Sequence, residues 1–277
     1  MRQLAGFLLL GLARAVFAAD SDSCTPINAV PFTISQPGAY CLNKDIATSM
    51  NSQAAILIEA SDVTLDLHGF RLGDEAAGVG TQAVGVFAGD RQNITVRNGT
   101  IKGFAIGIGL EKVTSTGVSR GHLIEKVRLE ANTWISVVVF GSASVIRSNQ
   151  IIKTGGSTAF GNISVAGIAV VGASNRVIDN DVFETVPMGT LSSFGINLVG
   201  SDNVVESNRI GNSALLPTPS MAIAFDCCYT GGLVINNRIT TMTNGILYGP
   251  STGKYRDNVT SGVTYPYGGG TDLGNNN

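Results

Sequence analysis

Two groups of residues in this 277-residue chain have types and spacing that could do chemistry. Asp226, in "AIAFDCC", and Asp202, in "GSDN", are carboxylates on consecutive stretches of similar sequence. Two carboxyl groups held close together can divide acid and base work, one donating a proton while the other accepts one. Their plainer roles are a turn cap for Asp202 and a solvated charge for Asp226. The second group is the segment "LEKVTSTGVSRGH", which gathers Glu111, Lys112, Arg120 and His122. Together these side chains can donate and accept protons, although a loop of mixed charge is commonly just solvated. Asp74 and Glu75 could hold calcium with backbone carbonyls, but two carboxylates make a poor calcium site. The metal, if any, is left unknown and no cofactor is expected. His68, in "LDLHGF", reads as structural, with Asp66 and Gly69 shaping its turn. The sequence has no G-x-S-x-G elbow, Walker loop, H-E-x-x-H or paired C-x-x-C, so nucleophile-elbow, nucleotide and zinc-motif chemistry find no support.

The elements that must position these residues repeat. "GIAVVGASNRVIDNDV" (Gly167 to Val182) returns as "GINLVGSDNVVESNRI" (Gly195 to Ile210), as "AIAFDCCYTGGLVINNRI" (Ala222 to Ile239) and as "GILYGPSTGKYRDNV" (Gly245 to Val259). An earlier copy starts at Ser136. Each copy runs as an alternating apolar strand, a tight turn, a second strand, then Asn and a branched apolar residue. Asn149, Asn180, Asn208, Asn237 and Asn258 align at one point of the unit, at a spacing typical of repeat architectures. Three short strands per unit fit a solenoid whose strands pair in parallel with their counterparts about 4.8 Å away. An Asn recurring at one corner can hydrogen-bond along the axis and satisfy turn groups that face inward. The expected fold is therefore all-β: a right-handed, single-stranded parallel β-helix of roughly seven to nine coils with an N-terminal cap. Asp181, Arg209 and Arg238 each follow a ladder Asn and should form a stacked charge row on an outer face.

Composition agrees. Hydrophobic residues are 44% of the chain but aromatics only 6%, with 35 glycines, so Val, Ile and Leu must build the core. A net charge of -2 offers nothing to a phosphate backbone, and nucleic acid is excluded as a partner. Arg2, the apolar run Leu4 to Ala13 and "RAVFAAD" have the order of a secretory signal cut after Ala18, and the run is too short to span a bilayer. The expected boundaries are a signal peptide at 1–18, a cap at 19–53, the β-helix at 54–262 and an exposed tail at 263–277. A secreted or periplasmic location permits a disulfide between Cys24 and Cys41, contributing roughly 3 kcal/mol. The adjacent Cys227 and Cys228 read as thiols, with a vicinal disulfide as the alternative.

On "DVTLDLHGFRL" (Asp62 to Leu72), "NITVRNGTIKGF" (Asn93 to Phe104) and the coils quoted above, the stretch from about Ala54 to Val259 resembles the right-handed parallel β-helix proteins of the pectin-lyase-like superfamily. "PFTISQPGAYCL" is similar to that superfamily's N-terminal cap. The resemblance implies a substrate groove along one sheet, walled by corner loops. It implies polysaccharide as the partner and two enzymatic readings, a lyase using Arg120, His122 or Lys112 and a glycosidase using Asp226 and Asp202. Taking Ile106, Ile168, Ile196, Ile223 and Ile246 as equivalent inward positions, alternation sends Gly107, Ala169, Val171, Asn197, Val199, Ala224, Asp226 and Leu247 outward. That row is mostly small and apolar. It suits a non-catalytic solenoid that packs on a partner or forms a homo-oligomer through this face as readily as it suits a groove.

Overall fold

The computed structural model describes residues 23–226 and 228–277, so the expected signal peptide, with its expected cut after Ala18, lies outside the described residues. Ten parallel strands form sheet A: Phe32–Ile34, Ala54–Ile58, Val84–Gly89, Ile106–Glu111, Ile135–Phe140, Val165–Val171, Ser193–Val199, Ser220–Phe225, Asn244–Leu247 and Tyr265–Gly268. The other strands form a second, eighteen-stranded parallel sheet that bends along its length into two faces, sheets B and C. Thr95–Lys102 and Leu123–Glu130 run through that bend, turned by Asn98 and Lys126 in the left-handed region (φ 57° and 53°). The chain therefore winds A, B, C in every coil. This is the parallel β-helix, and crossovers between parallel strands are right-handed in nearly all proteins.

Three columns of branched side chains fill the interior. Ile56, Val86, Ile108, Val137, Ile168, Ile196, Ile223 and Ile246 stack in register on sheet A, each fully buried or nearly so. Comparable columns line sheet B, from Leu65 to Val234, and sheet C, from Leu72 to Ile239. At the corner between C and A the inward position is small in coil after coil: Gly85, Gly107, Ser136, Gly167, Gly195, Ala222, Gly245. A Cβ on Gly107 would lie 2.6 Å from the Ser136 carbonyl and 2.7 Å from Leu129, so nothing larger fits without movement.

The asparagine ladder is present at the corner between B and C. Asn149, Asn180, Asn208 and Asn237 each donate their backbone N–H and their amide Nδ2 to the Oδ1 of the next asparagine, at 2.9–3.1 Å. Asn258 passes the pattern on to Asn276, so the ladder has a sixth member in the segment expected to be an exposed tail. Each of Asn180, Asn208, Asn237 and Asn258 also donates Nδ2 to a carbonyl of the preceding coil. The ladder residues do not themselves take the left-handed conformation. Ser148, Asp179, Ser207, Asn236, Asp257 and Asn275, one residue earlier, do so at φ 53° to 58°.

Both ends of the described segment 23–277 extend the solenoid. Cap strand Phe32–Ile34 pairs with Ala54–Ile58, and Tyr265–Gly268 pairs with Asn244–Leu247, which makes ten rungs on sheet A. The segment 263–277 is therefore a last coil rather than a loose tail. Aromatic rings close its interior: Phe225 stacks on Tyr248 at 4.7 Å, and Tyr255 on Tyr267 at 5.0 Å. At the other end Cys24 is bonded to Cys41, as expected, with a Cα–Cα separation of 5.7 Å. Cys228 is also disulfide-bonded, which corrects the thiol reading; Cys227 lies outside the described residues.

Candidate functional site: the outer face of sheet A

Sheet A is the face bordered by long corner loops on both sides. Between A and B run residues 112–122; between C and A run 155–164, 186–192 and 212–219. The corner between B and C, by contrast, is a tight turn pinned by the ladder. The loop after Glu111 is anchored at both ends. Asp90 accepts from Val113 N (2.9 Å) and from the Thr114 hydroxyl (2.7 Å), and the latter bond first of all holds its carboxyl below the usual range. Ser119 Oγ bonds His122 Nε2 at 2.9 Å. The loop folds over the sheet, since a Cβ on Gly89 would meet Val113 at 3.1 Å and Phe87 at 3.4 Å.

Under this loop lies a pocket of about 570 Å³. Lys112, Val118, Ser119, Phe140, Ser142 and Val171 are among its lining residues, so an exposed lysine, an aromatic residue and aliphatic residues share one pocket. Glu111 ends the sheet A strand next to it. Its carboxylate lies back over Gly109, where a Cβ would come within 3.1 Å of Oε1, 3.2 Å of Phe87 and 3.6 Å of Val138. Burial against these apolar groups raises its pKa. Below its ionisation it can donate a proton, and above it can accept one. Glu111, expected in the charged loop with Lys112, Arg120 and His122, instead ends the strand Ile106–Glu111 and pairs with Gly89.

The other expected residues divide. Lys112 lines the pocket. Arg120 is exposed and donates Nε to Gln92 Oε1 of the preceding coil at 2.8 Å, outside the pocket lining. His122 is only 2% exposed. It belongs to a second polar column at the corner between A and B, in which His122, Ser144, Asn175 and Asn203 occupy equivalent positions. His122 Nδ1 accepts from Ile94 N (3.3 Å) just as Asn175 Oδ1 accepts from Ser144 N and Asn203 Oδ1 from Asn175 N (2.9 Å each). This assigns the proton to Nε2, and burial lowers the imidazole pKa to about 4. A ring so placed meets no polymer, which corrects the expectation that it serves as a base.

Asp226 and Asp202 are both exposed, on the eighth coil and at the corner of the seventh. Asp202 sits in a left-handed turn (φ 58°) with its carboxylate against Gly231, as a turn residue would. Glu111 and Asp226 lie on the fourth and eighth rungs, about 19 Å apart at about 4.8 Å per rung, so they cannot share one reacting bond. Asp74 is buried and accepts from Met50 N and Thr81 Oγ1, while Glu75 pairs with Arg71 and Lys102; the two carboxylates are thus engaged separately rather than set for calcium. The row Asp181, Arg209, Arg238 forms on sheet C as expected.

One equivalence slipped in the sequence frame. Ile108, not Ile106, is in register with Ile168, because Ile106 pairs through Ile135 with Ala166. The "AIGIGL" segment offers two similar phrases two residues apart. Gly109 therefore takes the outward place given to Gly107. Of the rest of the row, Ala169, Val171, Asn197, Val199 and Leu247 are half-buried on the outer face, Asp226 is exposed and Ala224 is buried, and Phe87, Phe140 and Phe194 add rings to that face.

Comparisons with known proteins return no matching family model and no matching curated protein. Among solved structures, the chain is 14% identical to a complex of XylC with xylose (TM-score 0.44, 75% of this chain and 44% of that one). It is 13% identical to the Agl-KA catalytic domain (TM-score 0.44, 86% and 57%) and 12% identical to the Acinetobacter baumannii phage AM24 tailspike protein (TM-score 0.39, 92% and 47%). The chain spans about half the length of these proteins. Its own strand pairing defines the class, a parallel β-helix of the kind that the pectin-lyase-like resemblance implies. Among the described residues no helix is long and apolar enough to cross a membrane.

Proposed function

We propose that the chain is an exported solenoid that binds a polysaccharide along sheet A, with the Lys112–Phe140 pocket as the place where a sugar unit is held. The carrying observation is a face bearing Phe87, Phe140 and Phe194 beside an anchored loop, with Lys112 and Phe140 lining one pocket between them. Sites for organic ligands combine an apolar, aromatic floor with a few placed polar groups. Lys112 favours an acidic sugar, and Glu111 adds a proton donor and acceptor at the pocket's edge. Export is supported by the leader-like N-terminus and by the disulfide. The test is affinity electrophoresis of the mature protein in gels containing neutral and uronate polymers. Retardation by a uronate polymer, reduced tenfold or more in affinity by Phe140→Ala and by Lys112→Ala, is expected. Absence of retardation by every polymer sinks the reading. Lyase action is the narrower form, in which new absorbance from unsaturated ends would depend on Arg120.

A second reading rests on the same face. Val171, Phe194, Val199 and Leu247 lie half-buried on the sixth, seventh and ninth rungs, an apolar face suited to a second copy of the chain. Light scattering then shows an oligomer that Val171→Asp disrupts, whereas a monomer indifferent to this change refutes it.

A further inference from the structure

The N-terminal coil carries a group of side chains that the sheet A site does not use. Cys24 Sγ, Cys41 Sγ and a ring nitrogen of His68 lie within 4.8 Å of one another. Sheet pairing builds the cluster: Cys41 is in register with Asp66, and His68 follows two residues later in the left-handed region at φ 50°. The backbone N–H of His68 donates to Asp66 Oδ1 at 2.8 Å, and its Nε2 lies 4.0 Å from Asp66 Oδ2. Asp66 is itself fixed, buried at 5% exposure and accepting from Arg97 Nε (2.7 Å) and Asn98 Nδ2 (3.0 Å). Asp66, fixed by these bonds, thus holds the His68 backbone and stands 4.0 Å from its ring, which lies beside the sulfur atoms.

Two sulfurs and an imidazole, with a carboxylate beside the ring, are the donor set of a tetrahedral zinc site, lacking only thiolates. We propose that reduction of the Cys24–Cys41 disulfide turns this coil into a zinc site. A dithiol reductant gives two electrons and two protons to the S–S bond, leaving two thiols and its own disulfide. Zn²⁺ then displaces the two thiol protons and takes the His68 nitrogen as third ligand, with water in the fourth position. The metal would tie Thr25–Ile27 to Gly38–Leu42 as the disulfide does, so the first coil keeps its cross-link in either redox state.

Co²⁺ is the probe, titrated into the mature chain carrying Cys227→Ser and Cys228→Ser so that only the N-terminal pair responds. After reduction and removal of the reductant, one equivalent of Co²⁺ should give thiolate-to-cobalt charge-transfer absorbance and tetrahedral visible bands. The oxidised chain should give neither. His68→Asn, an exchange that suits the left-handed backbone, should weaken binding at least tenfold, with folding checked by circular dichroism in the oxidised form. Cys24→Ser removes one thiolate and should abolish the tetrahedral bands even if His68→Asn fails to fold. Reduced protein without charge-transfer absorbance, or binding that survives both substitutions unchanged, overturns the proposal.

Discussion

At the scale of single residues, burial and register decide roles that residue type leaves open. His122 is the clearest case. Its ring nitrogen takes the acceptor position that amide oxygens take in the next coils, and burial keeps it neutral, with a pKa near 4. The unfolded chain protonates His122 near pH 6.5 and the folded chain does not, so the folded state binds fewer protons between those values. Its stability should therefore be full above about pH 6.5 and fall as the pH drops toward 4, by on the order of 3 kcal/mol from this group. Urea midpoints measured from pH 7 to pH 4 should show that loss, and His122→Asn, which can keep an acceptor in the column, should flatten it. An unchanged slope in the variant would place the acid sensitivity elsewhere. The ladder makes a parallel prediction. Asn208 is fully buried and its Oδ1 accepts two bonds from Asn180, so Asn208→Ala should cost ~1–3 kcal/mol in urea unfolding, while the exposed Asn28→Ala should cost almost nothing.

At the scale of elements, what was legible in the sequence is what repeats in it. The ladder from Asn149 to Asn258 could be read because the same Asn-and-branched phrase returns with its strands, and the stacked row Asp181, Arg209, Arg238 followed from it. Asn276 escaped because the last coil is short: only 18 residues separate it from Asn258, and its strand reads "YPYG" instead of an aliphatic alternation. His122 escaped because its column uses four positions of three residue types, so no repeated letter marks it. The slip between Ile106 and Ile108 came from a strand that carries the glycine phrase twice. The outer face of sheet A was readable by alternation, but the fold of loop 112–122 over it depends on Asp90, 23 residues from Val113, a contact no local pattern encodes. The last coil gives this scale its prediction. A chain ending at residue 262 loses Asn276 as the ladder's terminal acceptor and the Tyr267 ring on Tyr255, and it bares the edge of Asn244–Leu247. It should unfold at lower urea, by about 3 kcal/mol or more, and associate through the open edge. An unaltered midpoint would mean that the last coil is ornamental.

At the scale of the whole molecule, the solenoid separates its faces by job. The ladder corner and the charge rows of sheets B and C give a tightly turned, solvated back, in which Asp66–Arg97 and Glu125–Arg147 pair across rungs. Sheet A has the opposite character: apolar, ringed with phenylalanines, and walled by loops. Such a division has physical sense only if the front meets something. The central claim is that this something is a polysaccharide lying along sheet A. Hydrogen exchange of backbone amides, compared with and without a bound uronate polymer, maps it most directly. The account predicts slowed exchange in Ile106–Glu111, Ile135–Phe140, Val165–Val171 and the loop 112–122, with the ladder corner unchanged. Protection confined to sheets B and C, or none on sheet A at saturating polymer, would contradict it.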